Sequence, residues 1–146
     1  MSVIVVGVDH SAGAKEALRF ARAEAELRQA TLRAVHAWQF GYLGVTGIEG
    51  SLPAVGGELH EFRAAAAAAL DATLREVIPD AEVERRVVEG APAAVLLEES
   101  READLLVVGS RGHGGFAQLL LGSVSQQCAH HAECPVVIVR SRADTD

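Results

Sequence analysis

The stretch Asp104-Leu105-Leu106-Val107-Val108, followed by Gly109-Ser110-Arg111-Gly112-His113-Gly114-Gly115, decides the fold class. A continuous apolar run bounded by a turn suits a strand buried on both faces, as in a parallel sheet. The glycines after it let the backbone turn through positive φ and bring bare N–H groups up to an anion. Further on, Gly122-Ser123-Val124-Ser125 opens a helical pattern, whose first amides attract negative charge. A glycine-rich loop between a buried strand and a helix N-terminus is where open α/β sheets hold ligands, outside the carboxyl ends of their strands. The loop reads as a phosphate cradle and a nucleotide as the leading ligand, although glycine clusters also serve ordinary turns.

Outward from this stretch, strand and helix alternate. Residues 3–8 form a first buried strand that ends at Asp9, and Ser11 stands where it can cap a helix carrying Ala14, Ala17, Leu18, Ala21 and Ala25 at three- and four-residue steps. Residues 31–37 read as strand two. Residues 39–57, with Gly41, Gly44, Gly47, Gly50, Pro53, Gly56 and Gly57, predict a long mobile loop. A second helix is predicted over 58–78, with Leu59, Phe62, Ala66, Leu70, Leu74 and Val77 on one stripe. The alanine run 64–69 belongs to its interior, because alanine has the highest helix propensity.

Residues 82–88 give a third strand, placed near a sheet edge by its interrupting charges. Pro92 suits the first turn of a short helix reaching Glu99. A helix over 123–131 and a strand over 135–140 complete the pattern. Five such cycles predict one domain over residues 1–146, a doubly wound, Rossmann-like α/β fold with a parallel sheet covered by helices on both faces.

Nearly half of the 146 residues are apolar, at 49%, and only four are proline, which excludes a disordered chain. The formal charge of -7 and pI near 5.3 argue against a nucleic-acid partner. An acidic protein that holds phosphates must neutralise them with backbone dipoles, a few local cations and a divalent metal. The N-terminus enters an apolar strand without a basic leader, and no apolar run approaches the ~18 residues of a membrane span, so a cytoplasmic protein is expected. Cys128 and Cys134 lack CxxC spacing and read as free thiols.

With these residues placed, the chain resembles the universal stress protein family, and specifically its ATP-binding branch. The resemblance rests on Val5-Val6-Gly7-Val8-Asp9 with Ser11, on Val35-His36-Ala37, on Gly90-Ala91-Pro92, on the apolar strand 105–108 and on the closing strand 135–140. That family's G-x2-G-x9-G-S/T signature is filled here by Gly109, Gly112, Gly122 and Ser123. The resemblance implies a five-stranded sheet in the order 3-2-1-4-5, whose reversal lies between strands one and four, where Asp9 and the glycine loop meet.

It further implies ATP as ligand, with Mg²⁺. The backbone of Ala37 and side-chain atoms near Val8 would frame the adenine, and Asp9 would accept from the ribose or reach the metal. Amides of 112–115, Gly115 included, and of Ser123, Val124 and Ser125 would hold the phosphates, with the Ser123 and Ser125 hydroxyls as further donors and Arg111 as a local cation. The fifth strand would lie at an edge, and its Val136, Val137, Ile138 and Val139 offer a surface through which two copies would pair antiparallel over residues 136–140, giving a homodimer.

Plainer roles compete for the same residues. Asp9 would serve as a helix cap, Arg111 as a solvated loop residue, and Ser123 as the cap of its own helix. His113 suits phosphate contact or solvent better than catalysis, since no paired base or orienting acid is evident. His130 and His131, beside Cys128 and Cys134, are poor zinc ligands, because adjacent helical side chains point about 100° apart. Trp38, Phe40 and Tyr42 would pack at a strand end or form a lid over the base. His10 departs from the glycine that family members commonly carry there, and a side chain at that point would narrow the crevice or strain the turn.

Three functions fit this pattern: a nucleotide-dependent stress-response module, a slow ATPase or autophosphorylating enzyme using Asp9 and His113, and a ligand-free dimeric scaffold. A P-loop is excluded because the only lysine, Lys15, is followed by Glu16.

Overall fold

The structure, a computed structural model, describes residues 2–39, 56–110 and 121–140. Five parallel strands, β1 (Val3–Gly7), β2 (Thr31–Trp38), β3 (Glu84–Glu89), β4 (Leu105–Gly109) and β5 (Val136–Val139), form one sheet in the order β3-β2-β1-β4-β5. Among the described residues, the connecting helices are α1 (Ala12–Arg28), α2 (Gly56–Val77), α3 (Pro92–Glu99) and α4 (Ser123–His131). The expected doubly wound sheet and its order are observed.

Side-chain alternation along the strands builds two cores. Ile4 and Val6 of β1, with Leu105 and Val107 of β4, point to the face covered by α1 and α2, where they meet Ala17, Leu18, Ala21, Leu70 and Leu74. Val5, Leu106 and Val108 point the other way, onto Val95 and Leu96 of α3 and Cys128 of α4. The central strands β1 and β4 are therefore apolar on both faces, as the runs that predicted them require.

The two edges differ. β3 carries Arg85, bound to Asp71 of α2, and Arg86, whose Nε and Nη2 meet the two carboxylate oxygens of Glu99 at 3.1 and 2.9 Å. Charges of this kind blunt an edge against further pairing. β5 is the opposite edge, four apolar residues that are all half-buried.

Helix starts follow the sequence closely. Ser11 caps α1, its Oγ accepting the Ala14 amide at 3.1 Å, and Pro92 opens α3. Two expectations need correction. Helix α2 begins at Gly56, so Gly56 and Gly57 belong to it and not to the loop; the rest of the expected glycine-rich loop, residues 40–55, lies outside the described residues. The stripe on α2 is buried only in its C-terminal half: Leu70 and Leu74 are core residues, whereas Leu59 and Phe62 remain 42% and 36% exposed. Sheet contact along α2 is made through Leu70, Leu74 and, just past its end, Ile78, so the periodicity outruns the surface that covers it. No helix among the described residues is long and apolar enough to cross a membrane.

Candidate functional site

The reversal of strand order leaves a crevice outside the carboxyl ends of β1 and β4, and the chain gathers polar groups there. At the end of β1, Asp9 Oδ1 accepts the Ser11 hydroxyl at 2.6 Å and the Ser11 amide at 3.1 Å. Asp9 thus holds the residue that caps α1, and the cap itself is Ser11. Among the described residues Oδ2 accepts no hydrogen bond, so one carboxylate oxygen keeps its capacity for a ribose hydroxyl or a cation.

At the end of β4 the backbone is pinned from three sides. The Ser110 amide donates to the Val139 carbonyl at 2.9 Å, and the Ser110 carbonyl accepts the Gly122 amide at 2.6 Å. The Ser125 hydroxyl, 2% exposed as a residue, donates to the carbonyls of Ser110 at 2.9 Å and Gly122 at 3.0 Å. The Ser125 side chain is therefore spent on closing the loop's ends, which leaves its backbone amide as the group that a ligand would meet. Ser110 was not singled out by the sequence, which offers no signal for a carbonyl acceptor.

Helix α4 starts from this anchor with Gly122 as N-cap, a residue without a side chain to bond the first turn. Ser123 is exposed and sits inside the helix, so it does not cap α4 as one reading had it. The amides of Ser123, Val124 and Ser125 have no intrahelical partner and, among the described residues, no side-chain cap, which is the arrangement that receives an anion at a helix N-terminus. Val124 packs its side chain beneath, against the α3–α4 core.

Gly109 closes β4 against α1. A Cβ built on it would lie 2.8 Å from the Gly13 carbonyl carbon and 2.9 Å from its oxygen, so two glycines are what let the first turn of α1 approach the end of β4. This approach brings the α1 N-terminus to the mouth of the crevice.

Of the two adenine-side residues, Val8 is a core side chain, 3% exposed, on the α1–α2 face, and its amide donates to Val35 at 2.9 Å. Ala37 is half-buried on the α3–α4 face. Their side chains lie on opposite faces of the sheet, so only the backbone of the two strand ends is available to frame a base jointly. Arg111, Gly112, His113 and Gly115 lie outside the described residues, as do Phe40 and Tyr42 of the suggested lid. Trp38 ends β2, and its Nε1 is shielded from solvent without a hydrogen-bond partner among the described residues.

One feature of the crevice goes beyond the sequence expectation. His10 adopts φ 69°, a left-handed conformation that costs a non-glycine residue about 1 kcal/mol or more. Its Nδ1 lies 2.8 Å from the Thr73 hydroxyl of α2, and its ring centroid is 4.6 Å from that of His36, tilted by 53°. His36 in turn donates from Nδ1 to the Val8 carbonyl at 2.8 Å. The strain anticipated at His10 is present. Thr73 was missed, although a buried hydroxyl three residues after Leu70 falls on the helix's inward stripe.

Cys128 is buried and free, and burial, with a smaller contribution from Cys134, pushes its thiol up to about 11. Among the described residues no three histidine, cysteine or acidic side chains gather to hold a metal.

The profile of the universal stress protein family matches residues 1–140. The chain belongs to that family. A universal stress protein of Mycolicibacterium smegmatis is 39% identical over 142 residues, covering 95% of this chain and 46% of that protein. The chain thus spans about half the length of the first curated relatives it matches. Among solved structures, the universal stress protein UspA from Lactobacillus plantarum superposes with a TM-score of 0.75 at 25% identity, covering 95% of this chain and 97% of that one. A universal stress protein solved in complex with cAMP superposes with a TM-score of 0.65 at 27% identity, covering 96% and 97%. These universal stress proteins share the Rossmann-like sheet that forms the crevice here.

Proposed function

We propose that this chain is a single adenine-nucleotide-binding module of the ATP-binding branch, which takes ATP with Mg²⁺ and uses occupancy as a stress-response signal. The observation that carries this reading is the uncapped α4 N-terminus at the strand-order reversal, joined to β4 through the Ser110–Gly122 hydrogen bond of 2.6 Å. The phosphates lie against the amides of Ser123, Val124 and Ser125, with the signature Gly109, Gly112, Gly122 and Ser123 shaping the loop. Asp9 Oδ2 meets the ribose or the metal. A family member solved in complex with cAMP supports an adenine nucleotide as the ligand.

The only lysine, Lys15, is paired with Glu76 at 3.0 Å, so affinity comes from oriented dipoles, Arg111 and the metal. That donor set fits a binding module better than a catalyst, since it includes no paired nucleophile and base. Two copies join through β5, whose uncharged edge contrasts with the ion-paired edge of β3. The module works in the cytoplasm, without nucleic acid or membrane. Calorimetric titration with ATP, ADP, AMP and GTP, with and without Mg²⁺, tests the reading: saturable binding of adenine nucleotides is expected, and preference for GTP over ATP overturns it. Light scattering at micromolar concentration tests the dimer.

A further inference from the structure

We infer that the cleft between the C-terminal ends of α1 and α2, at the amino ends of β2 and β3, is a second binding site and takes an aliphatic polyamine. It lies at the opposite end of the sheet from the strand-order crevice and is independent of the nucleotide reading. The cleft offers about 860 Å³, within the ~300–1,000 Å³ of sites that hold small organic ligands. It opens where the ladder between β2 and β3 has yet to begin: pairing starts at Arg33 and Glu84, whereas β2 itself starts at Thr31. Thr31 and Leu32 therefore run past the ladder, and both line the cleft.

The lining has two parts. Ala25 and Ala30 at the end of α1, Leu32 of β2, and Ala81 and Val83 ahead of β3 form an apolar floor continuous with the α1–α2 core. Around it stand Glu26, Asp80, Glu82 and Glu84, with Arg22 and Arg85 as the cations. Both arginines are engaged: Arg22 is shared by Glu26 at 2.8 Å and Asp80 at 3.1 Å, and Arg85 is bound to Asp71 of α2. Glu84 is held by Arg33 at 2.9 Å, and Glu82 makes no ion pair among the described residues. The rim thus keeps an uncompensated negative charge.

That charge opposes the local helix dipoles. Both α1 and α2 end at the cleft, and a helix C-terminus attracts cations and disfavours carboxylates. Yet Glu26 lies in the last turn of α1, and Asp80 and Glu82 follow the end of α2. Carboxylates set against two helix ends, beside an apolar floor, suit a ligand that carries positive charge on a methylene chain. Its ammonium groups meet Glu82 and Asp80, and its methylenes lie on the floor as a lysine stem lies on apolar surface.

Spermidine is the probe. Calorimetric titration in about 0.15 M salt is expected to show saturable uptake of one spermidine per chain, weakened about threefold or more in Glu82→Gln. Glu82 is exposed, so this substitution leaves the fold intact. Glu89→Gln removes the same charge from an exposed position at the carboxyl end of β3 and should bind as the parent does. Equimolar Mg²⁺, which has charge but no methylenes, should not displace the polyamine. Absence of saturable uptake, equal weakening in the two variants, or displacement by equimolar Mg²⁺ overturns the inference, leaving only the general attraction of an acidic chain for cations. Each of these results leaves the nucleotide reading standing.

Discussion

The carbonyl of Ser110 accepts the amide of Gly122 at 2.6 Å, so the exit of β4 and the start of α4 are joined by one hydrogen bond across eleven intervening residues. The Ser125 hydroxyl reinforces the joint from below. Both anchors are buried, which places the uncapped first turn of α4 on a fixed base and separates the loop's ligand-facing groups from the groups that hold its ends.

Ser125→Ala removes a buried donor from two carbonyls and is expected to lower unfolding free energy by about 1–2 kcal/mol in urea melts. Nucleotide affinity should fall with it, because the α4 N-terminus loses its support. Unchanged stability would show that the hydroxyl does not hold the joint.

Gly109→Ala places a Cβ 2.8 Å from the Gly13 backbone, which cannot yield as a side chain can. A loss of about 1–3 kcal/mol is expected in thermal or urea unfolding. Gly7→Ala is the comparison: its Cβ would meet the terminal carbon of Leu96 at 2.7 Å, a flexible group, and the cost should be smaller. Equal losses would argue against the close approach of α1 and β4.

Leu70→Ala should cost about 2–5 kcal/mol, since Leu70 is fully buried between α2 and the sheet. Phe62→Ala, at a position 36% exposed, should cost clearly less despite the larger side chain. The reverse ranking would mean that the N-terminal half of α2 is packed as its periodicity first indicated.

Cys128 provides an alkaline test. Its folded thiol is raised from an ordinary value of 9.0 to about 11, so the neutral form is the one that folding favours. The resulting stability is fully present below the ordinary value and is lost as pH rises through about 11. Urea midpoints should fall over that alkaline window in the parent and fall less in Cys128→Val. Cys128 should also react more slowly than Cys134 with a thiol reagent near neutral pH, since it is the more buried of the two.

The sheet was legible because each buried strand is its own signal: Leu105 to Val108 are apolar on both faces, as a strand covered by helices on both sides requires. The helix-start signals, Ser11 as a cap and Pro92 as a first-turn residue, were equally local. Leu59 and Phe62 share the stripe of Leu70 and Leu74 yet stay 42% and 36% exposed, because periodicity reports which face a helix offers and not how much of it is covered. The site divides the same way. Gly122 and Ser123 were visible from spacing, but the Ser110 carbonyl and the His10–Thr73 contact, 63 residues apart, arise only when distant backbone and side-chain groups are brought together. The inward turn of Ser125 likewise follows from helix phase at α4, not from its residue type.

The decisive measurement is calorimetric titration of the chain with ATP and Mg²⁺, on the parent and on Gly122→Val. The backbone at Gly122, φ -77° and ψ 171°, is open to valine, so the fold should survive while a side chain obstructs the α4 N-terminus. Saturable binding in the parent, weakened at least about tenfold in the variant, is the expected result. A folded parent that takes up no adenine nucleotide at millimolar concentration, or a variant that binds as well as the parent, would contradict a phosphate grip built from the first amides of α4.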